Sequence, residues 1–220
     1  MPGERTPFVT RRWWVLLALI VVVGFVGRAW NLDFDQGQHL HPDERHWSFT
    51  AAELARQPAP DPHGTALGPA LDWLDGQRSP ANPYRATPSF VYGPVMLTAA
   101  RSAAGWMHSG VVDGDQPAAA VVDVLDAIGI PLIDGDGSPT FDNGYEFEII
   151  GRLLAALLDT ITILVVGLIG RRLSGPATGL VAAGFYASCV LAIQHAHFLG
   201  SEPLLGLCSA LLVLATISID

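Results

Sequence analysis

Stretches nearly bare of charge punctuate the chain. Trp13 to Trp30 carries only Arg28, and Ile149 to Ile169 carries only Arg152 and Asp159. Pro176 to Ile193 and Pro203 to Ile219 carry no charge at all. At a 1.5 Å rise per residue, such runs make helices of about 25–32 Å, which matches a hydrocarbon core of about 30 Å. The pattern predicts an all-α polytopic membrane protein with transmembrane helices over 13–30, 149–170, 176–193 and 203–219. Between the first two lies a long polar excursion, 31–148. Within it, Trp47, Ala51, Leu54 and Ala55 recur at helical spacing and predict a juxtamembrane helix over about 42–56. Phe90 to Met107 is apolar but broken by Gly93-Pro94 and by Arg101, which predicts an interfacial, non-spanning helix over about 90–107. An amphipathic helix is expected between Pro117 and Ile128. Residues 57–89, rich in Pro and Gly, are expected to form a loop with a short turn at Leu71–Leu74.

Composition supports this reading. Of 220 residues, 50% are hydrophobic and only 15% charged, against about 25% charge in ordinary soluble domains; mean hydropathy is +0.36. A net charge of −9 argues against a nucleic-acid partner, which would require a clustered basic face. Cys189 and Cys208 both fall in apolar spans and read as small core hydrophobes.

Charge also sets the orientation. Arg5, Arg11 and Arg12 precede the first span, and Arg171 and Arg172 occupy the short 171–175 turn. Short Arg-rich loops stay cytoplasmic, so residues 1–12 and 171–175 are expected inside, and 31–148 and 194–202 outside. Trp13, Trp14 and Trp30 read as interfacial anchors, and the absence of a small-residue cleavage site after Trp30 argues against a cleaved leader. The expected location is a cell (plasma) membrane with an external polar face.

The densest polar cluster is His39-Leu40-His41-Pro42-Asp43-Glu44-Arg45-His46. Proline followed by acids is what any helix start favours. The same acids, beside an apolar surface, could equally act as a general base. The threading brings further polar groups to the same outer boundary: Arg152 at the start of the second span, and His195, His197 and Glu202 in the last turn. Arg152 can snorkel outward or bind an anion with its fork of donors. Asp159, two helical turns on, should face the bundle interior. His41, Asp43, Glu44 and His46, or His195, His197 and Glu202, could offer ligands to a divalent cation such as Mg2+ or Mn2+, although no zinc-type spacing is present. No other cofactor is signalled.

These motifs, in order, resemble lipid-carrier-dependent glycosyltransferases of the protein O-mannosyltransferase and aminoarabinose transferase kind, with the GT-C fold. The resemblance rests on the H-P-D-E-R-H stretch after a first span. It rests also on Asn82-Pro83-Tyr84 followed by Phe90-Val91-Tyr92-Gly93-Pro94, on Gly151-Arg152-Leu153-Leu154, on Gly170-Arg171-Arg172-Leu173 and on Gln194-His195-Ala196-His197. It implies transfer of a sugar, with inversion, from a polyprenyl-phosphate donor to a protein, lipid or glycan acceptor at the non-cytoplasmic face. By the same resemblance Asp43 would be the catalytic base with Glu44 supporting it, and Arg152 and His197 would face the donor phosphate. Glu202, with His41 and His195, would complete the acidic site or hold a metal. Because such enzymes have many more spans, the chain is expected to be an N-terminal portion. A transporter subunit or a non-catalytic membrane scaffold is the competing expectation.

Overall fold

The structure, a computed structural model, describes residues 7–57, 79, 82–142 and 144–219; the turn expected at Leu71–Leu74 lies outside them. The described chain is mostly helical and holds no strand beyond an isolated bridge between Ile133 and Pro139. The helices are α1 (Pro7–Ala29), α2 (Pro42–Arg56), α3 (Pro94–Asp113), α4 (Gln116–Ala127), α5 (Glu148–Ser174), α6 (Pro176–Ala187), α7 (Val190–Ala196) and α8 (Glu202–Thr216). A 3-10 turn covers Pro83–Arg85. Several begin for one physical reason. Proline stands in the first turn of α2, α3, α4 and α6, where its fixed φ fits and its missing N–H costs nothing. The Gly93-Pro94 pair, expected to break a helix, instead starts α3: Gly93 takes a φ of 77° and Pro94 opens the helix.

The chain divides into two compact units: Met1–Trp30 with Leu153–His197 and Glu202–Asp220, and Asn31–Arg152 with Phe198–Ser201. The division falls inside α5, between Arg152 and Leu153.

The first unit is the apolar one. Trp13, Leu17, Ile163 and Ala183 form its buried centre, with Ile20, Leu164, Leu168 and Leu180 packed against it. Small residues let the backbones of α5 and α6 approach. A Cβ on Gly179 would lie 2.6 Å from the Gly167 carbonyl oxygen, and one on Gly170 would lie 3.0 Å from the Gly179 Cα. Close approach through small residues is how helices associate where lipid supplies no hydrophobic drive. Trp13 donates to the Pro176 carbonyl at 2.8 Å, and the Arg171 guanidinium lies 4.2 Å over its ring. The start of α1 and the α5–α6 turn therefore share one end of this unit, and the basic residues Arg11, Arg12, Arg171 and Arg172 gather there.

Among the described residues, two helices, α1 from Arg11 and α5, are long and apolar enough to cross a membrane, or three spans if α6 and α7 are taken as one bent span. This alters two expectations. The run over 176–193 is not one straight helix, since α6 and α7 meet at 58° around Ser188-Cys189. The run over 203–219 forms α8, only 15 residues, or about 22 Å. The break has a visible cause. Arg28, fully buried, donates Nη1 to the Ala187 carbonyl at 3.0 Å and Nη2 to the Tyr186 carbonyl at 3.2 Å, satisfying groups that a continuous α6 would have bonded within itself. Its Nε meets Asp159 Oδ2 at 2.5 Å, and Tyr186 donates its hydroxyl to Asp159 Oδ1 at 2.6 Å. Asp159 thus faces the interior, as its position predicts. Cys189 and Cys208 are exposed, not core groups; a bundle that meets lipid can keep small apolar side chains on its outside.

The packing of α5 on α6 gives a test. Gly179→Leu should lower the thermal midpoint of the detergent-purified chain by several degrees, because overpacking costs about 1–3 kcal/mol. Gly184→Leu, with no atom within 4 Å of an added Cβ, should leave it nearly unchanged; equal effects would refute the close contact.

Candidate functional site

The second unit holds the polar chemistry, and its organising group is Arg152, carried in the first turns of α5 and 2% exposed. Its Nε and Nη2 form a fork on Glu44, at 2.9 and 2.7 Å. Nη1 and Nη2 form a second fork on Asp35, both at 2.9 Å. The remaining Nη1 hydrogen goes to the Leu32 carbonyl at 2.7 Å. A guanidinium has five N–H donors, and all of them are engaged, which leaves none for a carrier phosphate in this arrangement. The Phe34 ring covers the guanidinium face at 4.5 Å.

Local structure brings these acids in. Glu44 lies in the first turn of α2, where the helix dipole favours a carboxylate. It is fully buried, and its Oε1 also accepts from the Leu199 N–H at 2.7 Å. Asp35 sits in the turn-rich segment between α1 and α2, where Asn31, Gln36 and His39 adopt left-handed φ values of 56°, 49° and 48°. Non-glycine residues pay for that conformation in sterics, about 1–2 kcal/mol each. Arg152 holds the segment through both Leu32 and Asp35, and Asp35 Oδ2 accepts from the Leu40 N–H at 3.2 Å.

The doublet is thereby split. Glu44 is spent on structure. Asp43, one residue earlier, is half-buried and makes no hydrogen bond or ion pair with a described residue. His46 lies one helical turn on from Asp43 and stacks on Phe90, with ring centroids 5.7 Å apart and planes at 13°. His41 stacks on Phe198 at 4.1 Å. Trp47 is fully buried against Phe90 and Tyr92, its indole N–H without a partner among the described residues.

A cleft of about 320 Å3 opens in the same unit. Asp33, Asp35, Asp134, Glu146 and Glu148 line it together with His39 and Arg152, and neither Asp43 nor Glu44 does. Burial, and after it the charge of Asp35, pushes the Asp33 carboxyl above its ordinary value of 3.8. Burial pushes Asp35 the same way, but the hydrogen bonds and charge of Arg152 outweigh it and hold that carboxyl below 3.8. Two acids two residues apart are thus driven in opposite directions: burial and the charge of Asp35 prevail at Asp33, whereas Arg152, which lowers both, prevails at Asp35. Neither figured in the sequence reading, where Asp33-Phe34-Asp35 is an acidic pair just past a span with no helical or metal-ligand spacing to mark it.

The remaining candidates fall in the first unit. Each ring nitrogen of His197 faces a backbone carbonyl, Nδ1 that of Ile193 at 2.8 Å and Nε2 that of Trp30 at 3.0 Å. His195 and Glu202 are exposed and pair with no described residue; Glu202 sits in the first turn of α8.

Comparison with known proteins adds no identification: no family model, no curated protein and no solved structure matches the chain.

The arginine node sets stability in a definite order. Arg152→Met strands two buried carboxylates and should cost more than Glu44→Gln, which should still cost about 3 kcal/mol as a broken buried pair. Thermal unfolding of the purified variants reads this order. Since the folded Asp35 value lies below its unfolded one, its contribution is fully present above the unfolded value and is lost as pH falls through the folded one, below 3.8. Asp35→Asn should therefore flatten the acid limb of a stability–pH profile; an unchanged limb would contradict the assignment.

Proposed function

We propose that this chain carries the sugar-transferring face of a membrane glycosyltransferase that uses a polyprenyl-phosphate-linked donor. The observation that carries the reading is the split doublet: one acid is pinned through both oxygens by Arg152, and its neighbour stands at the same helix start without a partner among the described residues. A general base needs that combination, a fixed backbone and an unencumbered carboxylate.

In this reading the acceptor hydroxyl gives its proton to Asp43 as its oxygen attacks the anomeric carbon. The bond from that carbon to the phosphate oxygen breaks, and polyprenyl phosphate leaves with the electron pair, so the anomeric centre inverts. Arg152 acts as a positioning residue: through Glu44 and Asp35 it fixes the start of α2 and the segment before it. This replaces the phosphate-binding role implied by the family likeness, since its donors are all engaged. The apolar helices of the first unit support membrane attachment. The basic residues gathered at one end of that unit support a cytoplasmic N-terminus, and by the charge rule an external location for residues 31–148. Sugar and acceptor stay open among hexoses or pentoses and among proteins, lipids or glycans.

One observation favours a second reading, a transporter subunit. Arg28 and Asp159 are ionisable groups buried among apolar helices beside a broken helix pair, which is a feature of transport sites.

The deciding assay uses vesicles carrying the protein, with polyprenyl-phosphate-mannose as donor. Asp43→Asn should lower transfer by at least about 100-fold, the usual contribution of a general base, with insertion and thermal midpoint unchanged. Glu53→Gln, an acid at the solvent side of the same helix, should transfer normally. Undiminished transfer by Asp43→Asn would remove the role, and ion or solute flux without sugar transfer would favour the second reading.

A further inference from the structure

The wall of the acidic cleft contains a group that neither the doublet nor the arginine node uses. His39, Glu146 and Glu148 each offer one ligand atom within 4.8 Å of the other two. His39 and Glu148 are more than nine-tenths buried, and Glu146 stands at the more open side with its side chain 46% exposed. The Ser48 hydroxyl donates to Glu148 Oε1, and His39 Nδ1 contacts that same oxygen. The other ring nitrogen, Nε2, faces Glu146 Oε1 at 3.4 Å.

The side-chain donors that reach these carboxylates among the described residues are the Ser48 hydroxyl and the His39 ring. Both ring nitrogens face carboxylate oxygens, and the ring can meet both only as an imidazolium or with a bound cation on one nitrogen. The surroundings favour a cation. Five carboxylates line the cleft against a single guanidinium, and that guanidinium is already shared between Asp35 and Glu44. A concave wall with such an excess of negative charge concentrates cations.

We propose that His39, Glu146 and Glu148 bind a divalent transition-metal ion of the Zn2+ class. One imidazole nitrogen and two carboxylate oxygens are a donor set that suits such ions. The ion would take an imidazole lone pair and neutralise both carboxylates, joining the three groups at a common centre. Three protein ligands leave a fourth position open toward the cleft. Ser48 has the place of the hydrogen-bonding partner that orients a metal-binding carboxylate. The imidazole ligand distinguishes this site from a calcium site, which is built from oxygens. The inference does not rest on the glycosyltransferase reading and concerns none of the residues assigned to transfer.

The test is metal binding by the full chain in detergent, stripped with chelator and titrated with Co2+ while visible absorption is followed, then displaced with Zn2+. A single ion per chain is expected, with Zn2+ binding tighter than Mn2+ as the general order of divalent affinities requires, and both tighter than Ca2+. His39→Ala and Glu148→Gln should weaken binding by at least about 100-fold, and Ser48→Ala by about 10-fold, as for the loss of an orienting partner. Glu146→Gln, at the exposed side, keeps the test independent of folding and should shift the Co2+ spectrum and weaken binding about 10-fold or more. His108→Ala, outside the cluster, should bind normally. Absence of a Co2+ band at millimolar metal in folded wild-type protein would overturn the proposal. So would binding that survives both His39→Ala and Glu146→Gln, or preference for Ca2+ over Zn2+.

Discussion

A single buried guanidinium decides the shape of the polar unit. Arg152 ties the start of α5 to the start of α2 through Glu44, and to the segment between α1 and α2 through Asp35 and Leu32. Burying three charges is expensive, and the arrangement is tolerable because their hydrogen-bonding capacity is so fully used. Both forks are bidentate, every arginine donor is engaged, Leu199 supplies an additional N–H to Glu44, and an aromatic face closes the remaining side. Remove the arginine and the unit holds two buried acids facing each other's charge, with a strained segment no longer fastened.

A comparable device operates in the apolar unit. Arg28 and Asp159 neutralise one another, Tyr186 completes the carboxylate, and the other guanidinium donors go to the Gly24 carbonyl within α1 and to the Tyr186 and Ala187 carbonyls where α6 stops. In both cases an arginine near a helix end does more than cancel a charge: it satisfies backbone carbonyls that irregular chain leaves open. That explains how the chain can bend at Ser188-Cys189 without proline, and how it can hold three left-handed non-glycine residues before α2.

Much of this was legible from the residues, and the failures share a cause. The starts of α2, α3 and α6 are written locally by proline, and the inward orientation of Asp159 follows from helical phase and the cost of an acid facing lipid. The bend after Ala187 was invisible because its cause, Arg28, lies 159 residues away from the carbonyl it caps. The partners of Arg152 are hidden for a similar reason. A lone arginine at the head of an apolar helix reads as an anion binder, and nothing local announces that the anions are Asp35 and Glu44 of the same chain. Asp33 and His39 carry no periodic signature, since turns of unusual backbone hold them. Long-range partners, not local propensity, set the chemistry of these positions.

The chemical division that results, one acid of the doublet fixed and the other without a partner among the described residues, depends on the arginine node being intact in solution. Hydrogen exchange at the Leu199 amide reads that node most directly. This N–H lies in a turn, and its acceptor is Glu44 Oε1, so its protection reports the Glu44 carboxylate in place. Exchange should be slowed at least about 100-fold relative to an open turn, consistent with opening that requires breaking the buried pair, and Arg152→Met should release it. An unprotected Leu199 amide in the wild-type protein would contradict the account at its root.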